Sequence, residues 1–85
     1  MSTRKEVYEC INKERDHQDG LPIARMDGCA KTVGDHLVML DSYVVKAKMD
    51  WTDNAGVERP LHQIRKIAAI AVRCLEEHGV RNRGE

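Results

Sequence analysis

Apolar side chains recur along this chain at intervals of three and four, the period of a helix face, in three separate stretches. The clearest runs Leu37, Leu40, Val44, Ala47, Trp51 and predicts a helix over about 32–51 whose stripe, Trp51 included, faces a core. Another runs Leu61, Ile64, Ala68, Ala71, Leu75, His78 and predicts a helix over about 60–78. Ile67, Ile70, Val72 and Cys74 widen that helix's apolar surface well beyond one stripe, so it should touch more than one partner. Its Ala68, Ala69 and Ala71 leave room for close approach. The third stripe, Val7, Cys10 and Ile11, is thin. It predicts a helix over about 3–17 that leans on its neighbours for stability.

Start and stop signals frame the same three elements. Thr3 followed by Glu6 is a capping box, and Thr32 followed by Asp35 is another with the shorter acid. Pro60 suits a first helical turn, where its missing N–H costs nothing. Gly79 fits a left-handed C-terminal cap. Gly20, Pro22 and the Asp27-Gly28 pair mark a loop over 20–31, long enough to suggest a functional or mobile segment. "TDNAGVER" supplies a shorter loop, and the tail over 81–85 should fray. The expected architecture is a single all-α domain over 1–85. The two longer helices form an antiparallel hairpin, the first helix lies across it, and surplus apolar surface predicts assembly into a larger bundle, dimer or tetramer.

Composition narrows the function classes. A chain of 85 residues buries only about 60% of its unfolded surface, so its lone core is marginal. Phe is absent, with one Trp, two Pro and six Gly, which disfavours a β-sandwich. Fourteen basic against fourteen acidic side chains argue against general DNA binding, which calls for a basic excess. No apolar run approaches the roughly 20 residues that span a bilayer, and "MSTRKEVYEC" lacks a signal-peptide core, so no membrane association and a cytoplasmic location are expected. Cys10, Cys29 and Cys74 are odd in number and show no C-x-x-C spacing, so reduced thiols are expected.

Familiar catalytic signatures are missing: no Gly-rich phosphate loop, no G-x-S-x-G, no H-E-x-x-H. His17, His36, His62 and His78 do not fall at zinc-ligand spacing. His78, near a helix C-terminus, suits the helix dipole when protonated. A magnesium-dependent phosphate enzyme needs carboxylates converging on one small volume. Asp35, Asp41 and Asp50 do not cluster, and Glu76 and Glu77 stand at the far end of the last helix. The middle of the hairpin carries Tyr43, Lys46, Gln63, Lys66 and Arg73 instead, with Tyr43 and Lys46 on one helix face and Lys66 and Arg73 on another. Solvated surface cations account for these side chains, and phosphate pairing is the alternative.

Four segments, "INKERDHQDGLP", the Thr32-Val33-Gly34 helix start, "MLDSYVVKAKMDW" and "IRKIAAIAVRCLEEHG", together resemble the small MazG-like proteins of bacteriophages, relatives of the all-α nucleoside triphosphate pyrophosphohydrolases. The resemblance runs from about Ile11 to Val80. "ERDHQD" is similar to the family's E-R-x-Y-Q-D segment, and "AAIAVRCLEEHG" to its Ala-rich last helix ending in L-E-x-H-G. In that family an E-x-x-E pair on the second helix and further acids on the third hold magnesium, which binds substrate phosphates and activates water. Matching Ala47 and Trp51 to the family puts Tyr43 and Lys46 on the E-x-x-E positions, with Gln63 and Lys66 where further ligands belong. This chain therefore departs from the pattern of the family it resembles at the metal. An ammonium group offers no lone pair and repels the cation.

The resemblance and the departure together imply a catalytically inactive nucleotide-binding protein without a cofactor. It would be a phage product sequestering a nucleotide or cyclic oligonucleotide signal in the infected bacterium. Its ligand contacts are expected at Tyr43, Lys46, Gln63 and Lys66, with Arg15, His17 and Gln18 reading the nucleotide and Arg25 and Lys31 closing over phosphate. One alternative is an active pyrophosphohydrolase drawing magnesium ligands from Glu14, Asp16, Asp19, Asp35 or Asp41, with Glu14, Asp19 and Asp41 the leading set. The other is a helical protein-interaction module that has kept the fold and lost the pocket.

Overall fold

The protein is described by a computed structural model that covers residues 1–21, 31–53 and 56–84. Pro22, Arg25, the Asp27-Gly28 pair and Cys29 lie outside the described residues. Among the described residues all regular structure is helical: α1 (Arg4–Asp19), α2 (Val33–Thr52) and α3 (Glu58–His78). None of these helices is long and apolar enough to cross a membrane.

Both capping boxes form. The backbone N–H of Glu6 donates to Thr3 Oγ1 at 3.2 Å while Thr3 N–H donates to Glu6 Oε1 at 3.2 Å. Asp35 N–H donates to Thr32 Oγ1 at 3.0 Å and Thr32 N–H to Asp35 Oδ2 at 2.9 Å. Each box satisfies donors that a helix start leaves unpaired. At the C-terminal end of α3, Gly79 adopts φ 94° and ψ 148°, extended on the positive-φ side and not the left-handed helical cap expected, and its N–H donates to Leu75 O at 2.8 Å. Pro60 sits buried in the first turn of α3, which begins at Glu58.

α3 is the central element. α1 packs against one side of it and α2 against another, with no packing between α1 and α2 among the described residues. Because α1 and α2 each pack on α3 alone, much of each helix stays uncovered. Ala69 and Ile70 are the buried hydrophobic side chains of the core among the described residues, Pro60 is buried nearer the start of α3, and the largest fully buried side chain is His36. The stripes expected to face a core are largely open: Leu37 is 59% exposed, Trp51 62%, Leu61 55% and Ile64 52%. Trp51 is thus not a core residue of the lone chain, contrary to its place in the stripe. The period marks an apolar face, but no described element packs over it.

Charged contacts join α1 to α3. Arg15, itself buried, donates through Nη1 to Asp19 Oδ1 at 2.9 Å and through Nη2 to Glu76 Oε2. Arg65 Nε donates to Glu14 Oε1 at 2.8 Å. Cys10 is exposed and Cys74 half-buried, both as thiols.

Candidate ligand-binding site

Residues 36, 39, 43, 46 and 50 of α2 fall at three-four spacing and share a face, as do 59, 63, 66, 70, 73 and 77 of α3. The antiparallel hairpin sets these two rows against each other. His36 meets Glu77, Tyr43 meets Lys66, and Asp50 meets Gln63 and Arg59. The rows pair residues up to 41 apart in the chain.

At the middle of the rows, Lys46 Nζ stands 4.7 Å from the centroid of the Tyr43 ring and Lys66 Nζ 5.9 Å from it. Each ammonium gains from the electron-rich ring face. Two cations gathered on one ring also repel each other, a repulsion that a bound anion would relieve. Tyr43 is half-buried, Lys66 half-buried and Lys46 exposed, so the cluster opens to solvent.

Toward the C-terminal end of α3 the rows border a cavity of about 220 Å³, and Tyr43 lines it together with Gln18, His36, Met39, Ile70 and Arg73. Gln18 comes from α1, so all three helices contribute. Two polar atoms of its walls, Gln18 Oε1 and His36 Nδ1, are buried without a hydrogen-bond partner, as is Gln63 Oε1 further along the hairpin. Such orphans are rare enough in folded proteins that each one asks for a cause.

His36 fixes the end of the hairpin. Its Nε2 lies 2.9 Å from Glu77 Oε2, and Arg73 Nε donates to Glu77 Oε1 at 3.0 Å. The hydrogen bond from His36, followed by that from Arg73, holds the Glu77 carboxyl below the ordinary glutamate range. A carboxyl depressed in the folded state contributes stability that is present above its unfolded pKa and disappears as pH falls through the folded one. The midpoint of thermal unfolding should therefore fall as pH drops from neutrality below the range of a free glutamate, near 4.3. In Glu77→Gln that fall should be shallower, measured by circular dichroism across the acid range.

The site residues expected from sequence separate into groups. Tyr43, Lys46 and Lys66 come together, and Gln18 joins Tyr43 through the cavity wall. Gln63 lies on the same row but donates to buried Asp50 at 3.3 Å. Arg15 is taken up by Asp19 and Glu76, and His17 is exposed on the last turn of α1; neither lines the cavity. Lys31 does line it. Two features escaped the sequence: the Asp50–Arg59–Gln63 knot and the His36–Glu77 pair. Both depend on hairpin register, which no local pattern encodes.

The acids expected to hold metal in an active enzyme do not gather. Glu14 is paired with Arg65, Asp19 with Arg15, and Asp35 caps α2, while Asp16 and Asp41 are exposed. Among the described residues, the His/Cys/Asp/Glu group close enough for a shared ion is His36, Glu77 and His78, with ligand atoms within 4.8 Å of one another. Its atoms are already engaged. His36 Nε2 and Glu77 Oε2 share a hydrogen bond, and His78 Nε2 donates to Lys31 O at 2.8 Å. Comparison of the chain with models of known protein families, with curated proteins and with solved structures finds no match.

Proposed function

We propose that this chain is a catalytically inactive, MazG-like nucleotide-binding protein that works as a homo-oligomer and sequesters a nucleotide or cyclic oligonucleotide signal in the cytoplasm of a phage-infected bacterium. The observation that carries the reading is the convergence of Lys46 and Lys66, from two different helices, on the ring of Tyr43. Ammonium groups that meet at one ring offer charge-assisted donors of the kind that phosphate oxygens accept. The adjoining cavity, at about 220 Å³, is on the scale of a nucleobase and smaller than the pockets that hold drug-sized ligands. Tyr43 lies at the junction and offers its ring to the base or its hydroxyl to a phosphate oxygen. The unpartnered acceptor Gln18 Oε1 favours a base that carries an amino group.

The charge of the site argues for binding without turnover. Lys46 and Lys66 repel a divalent cation, and Glu14 and Asp19 are each already bound to an arginine. The open apolar side of the hairpin also favours a second reading, a protein-interaction module that has abandoned its pocket.

Titration calorimetry with deoxynucleoside triphosphates, ATP and cyclic dinucleotides, without added metal, tests the first reading. Saturable binding of at least one of them is expected, with no pyrophosphate released on adding magnesium. Silence across the panel at millimolar ligand would overturn it.

A further inference from the structure

The hydrogen-bonding character of the cavity is set from outside it. Arg73 Nε donates to Glu77 Oε1 at 3.0 Å, and Glu77 Oε2 lies 2.9 Å from His36 Nε2. A carboxylate between a guanidinium and an imidazole accepts from both, so on this side of the ring the proton belongs to Nε2. In a neutral imidazole the other nitrogen is then an acceptor. That nitrogen, Nδ1, has no partner, and it belongs to a side chain with no exposed surface. The relay from Arg73 through Glu77 thus turns one wall of the cavity into an acceptor.

Gln18 Oε1 adds a second acceptor from a different helix. It is also buried without a partner, and Gln18 and His36 line the same cavity of about 220 Å³. A buried acceptor left unpaired costs free energy, so two in one cavity call for an occupant that brings two donors. The space is several times what a single water fills. Arg73, on the same wall, brings guanidinium donors beyond the Nε bound to Glu77.

The common bases differ in what their edges offer to such a wall. Guanine sets donors on two neighbouring atoms, N1–H and the 2-amino group, with the O6 acceptor beside them. Adenine has one donor atom, its 6-amino group, next to a bare N1. Cytosine has one next to a bare N3, and uracil a lone N3–H between two carbonyls. Against two acceptors held on separate helices, guanine is the base that leaves neither unpaired.

We infer that the cavity takes guanine, with N1–H and the 2-amino group donating to Gln18 Oε1 and His36 Nδ1 and O6 accepting from Arg73. Tyr43, which lines the cavity and carries Lys46 and Lys66 on its ring, joins this base to its phosphates. Gln18 and His36 determine specificity, and Glu77 is a positioning residue that acts through the His36 tautomer. The inference rests on the proposed nucleotide binding and adds which base is bound.

Calorimetry on the wild-type chain with GTP, ITP and ATP, without metal, tests it. ITP is GTP without the 2-amino group. GTP should bind at least about tenfold more tightly than either, because each of the others leaves a buried acceptor unpaired. In Gln18→Leu only His36 Nδ1 remains, and the amino group of adenine answers it as well as that of guanine. The preference for GTP over ATP should then shrink to within about threefold. Gln18→Glu keeps an acceptor in place; its charge weakens all nucleotides alike and should leave the ratio of GTP to ATP affinity near that of the wild type. If Gln18→Leu fails to fold, the wild-type panel still decides. ATP or ITP binding as tightly as GTP overturns the inference and leaves nucleotide binding standing, whereas silence from all three nucleotides overturns both. A GTP preference untouched by Gln18→Leu also overturns it.

Discussion

Lys46→Glu and Lys66→Glu should each weaken the binding of a nucleoside triphosphate by about ten- to a hundredfold, and the double variant should show no binding. A hydrogen bond between an ammonium and a phosphate contributes about 1.5–3 kcal/mol, and reversing the charge adds repulsion to the loss. The two lysines approach one ring from opposite helices, at 4.7 and 5.9 Å, so neither can take over the whole role of the other. Lys46→Arg keeps the charge and should retain most of the affinity. Lys5→Glu, on the exposed side of α1, changes net charge by the same amount and should leave affinity within about twofold at moderate salt. Calorimetry reads all five. Equal losses in Lys46→Glu and Lys5→Glu would mean that overall charge alone attracts the nucleotide, with no local site.

His36→Ala should cost about 2–4 kcal/mol of stability. His36 has no exposed surface, and it is the largest side chain so enclosed among the described residues. Truncation leaves a cavity beside Ile70 and removes the bond that ties the start of α2 to the end of α3 through Glu77. For a domain of this length that loss corresponds to roughly 10–25 °C in the unfolding midpoint. Glu77→Gln at neutral pH should cost less, because the amide can still accept from His36. Melting curves at one protein concentration give the comparison. A shift of only a few degrees for His36→Ala would show that the contact between His36 and Glu77 does not hold the hairpin together.

The sequence carried the helices well, because their signals are local. Thr3 with Glu6 and Thr32 with Asp35 announce starts that the structure reproduces bond for bond, and Gly79 announces a stop. The pairing of Tyr43 with Lys46 was equally legible, being a three-residue spacing on one helix. Contacts between helices were not. Nothing near Asp50 reveals that Arg59 and Gln63 will reach it, and nothing near His36 reveals Glu77, since register is fixed by packing over the whole hairpin. The stripe ending in Trp51 shows a different limit. Its period reports that a face is apolar, and it is silent on whether this chain or another molecule will cover it.

The arrangement of α1 and α2 on separate sides of α3 has an energetic consequence. Substitutions on the two outer helices share no neighbours except through α3, so their effects should sum, with coupling close to zero away from the Gln18 wall. Pairs that include an α3 residue should deviate. The molecule then behaves less as one cooperative core than as a spine with two independently attached limbs, and α1, tied to α3 in part by the ion pairs of Glu14 and Arg15, is the limb that high salt would loosen first.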